Sequence, residues 1–156
     1  MHESAKSTNS ICGAPAAGYY HAMTTELIVL AWGCVLAIIH LFAAVRMKTR
    51  QYGTKWNIGP RDEELPPLAP VAGRLARAQA NYYESLPVMA AAILIVSVAH
   101  LETRWTAIGA LIWLAARIVY LPLYAVGVRG VRTLAWLLSL AGILMVLWPA
   151  LAAAFA

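Results

Sequence analysis

The sequence predicts an all-α integral membrane protein built as a bundle of four transmembrane helices. Three observations lead there. Hydrophobic residues make up 62% of the chain and charged residues 12%, about half the ~25% charged share of a soluble domain. Mean hydropathy is +0.67. The apolar residues also fall into four long runs that carry few charges, as bilayer-crossing helices do. The 156 residues are enough for one domain. In such a protein the net charge of +5 does not point to nucleic acid, because basic residues collect in cytoplasmic loops. Two cysteines, Cys12 and Cys34, are too few for a disulfide framework or a zinc site. Cys34 lies within an apolar run and is expected to pack as a small hydrophobe.

Residues 1–22 are rich in Ser, Ala, Gly and Asn, lack periodicity, and lack the basic start and apolar core of a secretory signal. They read as a disordered tail. Met23-Thr24-Thr25-Glu26 then looks like a fresh beginning, with a threonine cap and an acid in the first turn. The first span covers residues 27–45. These 19 residues contain no Asp, Glu, Lys or Arg and reach about 28 Å as a helix. His40 is the one imidazole in this span and is expected to hydrogen-bond within the bundle.

Residues 46–70 form a polar connection. It carries Arg46, Lys48, Arg50, Lys55 and Arg61, then the acidic cluster Asp62-Glu63-Glu64. Pro66, Pro67 and Pro70 favour extended backbone and end any earlier helix. The second span runs over about residues 71–100, roughly 45 Å of helix. That exceeds what the hydrocarbon needs, so its first half carries polar residues at or beyond the interface. Arg77, Asn81 and Glu84 stand at i, i+4 and i+7 there, one face of a helix at about 100° per residue. A cation, an amide and a carboxylate in one stripe mark either a functional site or contacts that hold helices together. Pro87 should loosen or kink the helix just past Glu84.

The third span, residues 105–126, is apolar except for Arg117, with Tyr120 and Tyr124 on the same face. An arginine at a helix centre costs at least about 2.5 kcal/mol on insertion scales, so it must either snorkel or find partners. The fourth span, residues 132–155, opens with Arg132, and Arg132, Trp136 and Ser139 share a face. Basic residues crowd the first and third loops: Arg46, Lys48, Arg50, Lys55, Arg61, Arg74, Arg77, Arg129 and Arg132, against Lys6 and Arg104 on the other side. The imbalance places those loops in the cytoplasm and both termini outside. It also gathers Arg77, Asn81, Glu84, Arg117, Tyr120, Tyr124 and Arg132 at one end of three helices.

The string RAQANYYESLP (77–87), followed by RIVYLPLY (117–124) and by Arg132 eight residues after Tyr124, resembles the MAPEG family. These are membrane-associated proteins of eicosanoid and glutathione metabolism. The resemblance spans about residues 24–156, and the connection KWNIGPRDEELPPLAP is similar to that of bacterial members. It implies a homotrimer of four-helix subunits with glutathione as co-substrate, bound between neighbouring subunits. It implies that Arg77, Asn81, Glu84, Arg117, Tyr120 and Tyr124 bind glutathione and that Arg132 acts on its thiol. An arginine at the end of the first helix also belongs to the family site, and Arg46 and Arg50 both qualify.

The residue types suit that ligand, since arginines fork onto carboxylates, Glu84 can take an ammonium, and a cation beside a thiol favours the thiolate. Ala80 stands where the prostaglandin-synthase branch has arginine. Ser85 stands where the leukotriene C4 synthase branch, otherwise the nearer motif, has tyrosine. The implied activity is glutathione transfer or peroxide reduction on a hydrophobic electrophile. A non-catalytic lipid-binding or scaffold member is the alternative. The loop charges also predict an outcome: a reporter fused after Ala156 should be periplasmic and one inserted near Gly59 cytoplasmic, and the reverse would overturn the topology.

Overall fold

A computed structural model of the chain describes residues 22–128 and 130–155. The helices are α1 (Thr25–Tyr52), α2 (Thr54–Ile58), α3 (Pro70–Val98), α4 (Arg104–Val126) and α5 (Val131–Ala154). All but α2 are long and apolar enough to cross a membrane. The tail expected over residues 1–22 lies outside the described residues but for Ala22.

Each boundary has a local cause. Thr24 caps α1, its Oγ1 accepting from the Leu27 N–H at 3.4 Å. The helix runs seven residues beyond the expected 27–45 span, to Tyr52. Nothing from Arg46 to Tyr52 breaks a helix, and Gly53, at φ 87°, is the first residue that turns the chain. The polar connection also contains the short helix α2, which hydropathy had no means to reveal. Pro70 opens α3 at a position whose missing N–H costs nothing. α3 runs as one helix from Pro70 to Val98, with Pro87 inside it. Thr103 and Thr106 form a reciprocal capping box at the start of α4, and Gly127, at φ 87°, ends it.

The helices alternate in direction, as contacts between their ends establish. At one end the Thr106 hydroxyl donates to Glu26 Oε1 at 2.5 Å, joining the starts of α4 and α1. At the other, Arg74 Nε donates to the Ala125 carbonyl at 3.0 Å, joining the start of α3 to the end of α4. The connection before α3 is tied to α1 there too. Gln51 donates to the Pro67 carbonyl at 3.0 Å and accepts from the Ala69 N–H at 2.7 Å, and the Tyr52 hydroxyl donates to the Pro66 carbonyl.

In lipid the hydrophobic effect does not pull helices together, so close packing and interhelical hydrogen bonds must. Both are present. The core contains Val29, Leu36, Tyr82, Met89, Ile93, Val96, Trp113, Ile143 and Val146, while Trp32, Phe42, Leu94, Ile108, Leu137 and Trp148 face outward. Tyr82 donates to the Gly33 carbonyl at 2.6 Å and Tyr83 to the Ala37 carbonyl at 3.1 Å, two bonds from α3 to α1. His40, buried, stacks on Tyr82 at 4.3 Å, and its Nδ1–H donates to the Leu36 carbonyl at 2.9 Å. Cys34 does not pack inside; it lies exposed on α1, because the buried positions of that helix fall on Gly33, Leu36, Ala37 and His40 instead.

Where α4 crosses α5, Gly109 and Gly142 lie face to face. A β-carbon on Gly142 would stand 2.6 Å from the Gly109 carbonyl oxygen and 2.9 Å from the Trp113 nitrogen. Because both obstacles are backbone, Gly142→Ala should force the helices apart and cost about 1–3 kcal/mol. Unfolding in mixed micelles by titrated denaturing detergent measures this, and unchanged stability would show that the crossing is looser than described.

Candidate functional site

Five of the seven residues singled out by spacing, Asn81, Arg117, Tyr120, Tyr124 and Arg132, meet at the end of the bundle where α3 starts, α4 ends and α5 starts. Arg117 anchors the arrangement. It is 1% exposed, so it does not snorkel. Its Nη1 donates to Asn81 Oδ1 at 2.7 Å, from α4 to α3. Its guanidinium carbon lies 5.5 Å from the centre of the Tyr120 ring, a cation–π contact of the kind that strengthens when desolvated. Arg117 Nε is buried with no partner among the described residues.

Tyr120 leads to Tyr124, their ring centroids 5.2 Å apart. The Arg132 guanidinium carbon lies 4.6 Å from the Tyr124 ring centre, which ties α5 to the end of α4. Asn81, Tyr120, Tyr124, Arg132, Thr133 and Trp136 line one cleft of about 220 Å³. This cleft joins four of the seven residues expected from sequence, and Arg117 holds one of them, Asn81, from behind.

The other two, Arg77 and Glu84, are exposed and do not line the cleft. They share a face with Asn81, but the buried face of α3 runs through Ala78, Tyr82 and Met89, and only Asn81 reaches its edge. Arg77 instead lies back along its own helix toward Gly73. Arg46 and Arg50 are not brought to the cleft either; they line a separate groove on the outer side of α1. Thr133 was not singled out by sequence reasoning. It follows Arg132 directly, and adjacent residues share no helical face, so spacing gave no signal. Trp136 shares the Arg132 face, a signal that was legible but also fits an interfacial anchor. Arg129 lies outside the described residues.

Four helices long and apolar enough to cross a membrane, with a cleft that carries Arg132 at one end of the bundle, define an integral membrane protein. The family model described as MAPEG family matches residues 29–152, and the chain belongs to the MAPEG family. Comparisons with curated proteins and with solved structures each found no match.

The Arg117–Asn81 bond can be tested without a ligand. Asn81→Leu removes the acceptor of a buried guanidinium and should cost about 2 kcal/mol, whereas Asn81→Asp, which keeps an acceptor, should not. Thermal unfolding of the detergent-purified variants reads the difference. Equal stability of all three proteins would mean that Arg117 is satisfied elsewhere.

Proposed function

We propose that the protein is a membrane-bound glutathione-dependent transferase or peroxidase acting on hydrophobic electrophiles. The observation that carries this reading is the single cleft lined by Asn81, Tyr120, Tyr124 and Arg132 in a MAPEG chain. Two guanidiniums, Arg117 and Arg132, stand at or behind it, suited to an anionic ligand. The cleft's 220 Å³ falls below the ~300–1,000 Å³ of typical ligand pockets. That supports a site completed by a neighbouring copy in a homotrimer, with exposed Arg77 and Glu84 contributing from the rim. In this arrangement Glu84 takes the ammonium of glutathione, and Arg77, Asn81, Arg117, Tyr120 and Tyr124 take its carboxylates and amides.

Arg132 is the residue for the thiol. A thiol of pKa about 8.5 is mostly protonated at neutral pH, and a neighbouring cation favours its thiolate. Lowering that pKa by ~2 units corresponds to about 2.7 kcal/mol. The thiol proton leaves to solvent; the thiolate sulfur then bonds to the electrophilic carbon of a substrate that arrives from the lipid side, and the bond from that carbon to its leaving group breaks, the leaving group departing with the electron pair as an anion. The topology proposed with this places the site at the cytoplasmic face of a bacterial inner membrane.

The test begins with glutathione binding to detergent-purified protein and a conjugation assay with a generic aromatic electrophile. Binding without turnover would favour a scaffold role. Arg132→Ala should raise the pKa of bound glutathione and lower kcat on the order of 10²-fold, more than it weakens binding. Arg129→Ala should change little. The readouts are thiolate absorbance against pH and kcat for each variant; an unchanged titration in Arg132→Ala defeats the assignment.

A further inference from the structure

The interior of the bundle holds polar atoms that the cleft does not use. Six buried side-chain nitrogens and oxygens have no partner among the described residues. Three of them, His40 Nε2, Trp113 Nε1 and Arg117 Nε, belong to residues grouped around one ring, that of Tyr82. His40 stacks on this ring at 4.3 Å, and the Trp113 ring lies 5.9 Å from it. Arg117 bonds Asn81, the residue before Tyr82, and its charge is felt at both His40 and Tyr82. Trp113 and Arg117 stand at i and i+4 on α4 and so share a face. His40, Tyr82, Trp113 and Arg117 are each at most 1% exposed.

Helix register brings these groups to one level. α1 and α4 run the same way, their starts joined by Glu26 and Thr106, 80 residues apart in sequence. Gly33 meets Trp113 at the same separation: a β-carbon on Gly33 would stand 3.1 Å from the Trp113 ring. That register sets His40 level with Tyr120, less than one turn from Arg117. The atoms are also complementary in kind. The Leu36 carbonyl accepts from His40 Nδ1–H, so in the neutral imidazole Nε2 offers a lone pair. Arg117 Nε and Trp113 Nε1 carry N–H groups that can only donate. One acceptor cannot serve two donors fully, and a group left without a partner is costly in hydrocarbon. A water molecule can accept both N–H groups and donate to the imidazole, about the three hydrogen bonds usual for a buried water. An anion would accept from the donors but has nothing to give Nε2.

We propose that one internal water joins His40 Nε2, Arg117 Nε and Trp113 Nε1, and that through it His40 is a positioning residue for Arg117. Asn81 holds the guanidinium at Nη1 and the water holds it at Nε, two points that fix its plane. The site lies inside a single chain, and none of its three residues lines the cleft. It depends neither on the glutathione reading nor on how copies of the chain assemble.

Nuclear magnetic resonance of the isotope-labelled full-length protein in detergent micelles supplies the test. Arg117 Nε–H and Trp113 Nε1–H, assigned through Arg117→Lys and Trp113→Phe, should show cross-relaxation with a long-lived water. The outward-facing indole of Trp32 should not. His40→Phe keeps a ring against Tyr82 but removes the acceptor, so the Arg117 Nε–H signal should shift and its exchange with solvent should rise about tenfold, the loss of one hydrogen bond. His40→Gln, which keeps an acceptor, should restore the slow exchange. If His40→Phe does not fold, the water signal of the unaltered protein and the exchange rate in His40→Gln carry the test. Absence of a long-lived water at Arg117 Nε–H, unchanged exchange in His40→Phe, or fast exchange in a folded His40→Gln overturns the proposal. A scalar coupling from Arg117 Nε–H to His40 Nε2 also overturns it, because the two would then be bonded directly with no water between.

Discussion

A guanidinium in the middle of an apolar helix constrains everything near it. Arg117 is buried in α4, and a charge without partners there would cost several kcal/mol. Asn81 must therefore sit across from it on α3, which fixes the register of the two helices. The Tyr120 ring stands beside it, the first of the aromatic pair leading to Tyr124 and Arg132. The cleft thus follows from a need to satisfy one cation, and the ligand site proposed there uses groups already held in place.

The rest of the bundle meets the same demand by other means. Lipid competes for every apolar side chain as well as protein does, so the helices are held by backbone-level contacts. Gly109 against Gly142 lets α4 and α5 approach closely. Tyr82 and Tyr83 bond carbonyls one turn apart on α1, a distance that an aromatic side chain spans and an aliphatic one could not bond. At the opposite end the buried carboxylate of Glu26 accepts from Thr106 between two helix starts, where the helix dipoles favour a negative charge. The cleft end is braced by Arg74 on the last turn of α4.

Charge is distributed with similar economy. The residues that face the cleft are neutral or cationic, and the acidic cluster Asp62-Glu63-Glu64 is exposed in the connection, away from its lining. Such a surface suits the anionic ligand proposed for the cleft.

By itself the sequence determined the membrane class, the four spans and the end of the bundle where the polar residues gather. Those follow from hydropathy, breakers and helical spacing, which are properties of neighbouring residues. The Arg-x-x-x-Asn-x-x-Glu string and Arg117 with its tyrosines were legible for the same reason, and so was the MAPEG resemblance. What only the tertiary structure decided is which member of each stripe reaches the cleft. Arg77, Asn81 and Glu84 share a face in sequence, but the crossing of α3 with α4 buries one edge of that face and leaves the other open, so Asn81 turns inward and its neighbours do not. Spacing along one helix measures angle about that helix alone. Where another helix lies against it depends on contacts distant in sequence, such as Gly109 with Gly142 and Tyr82 with Gly33.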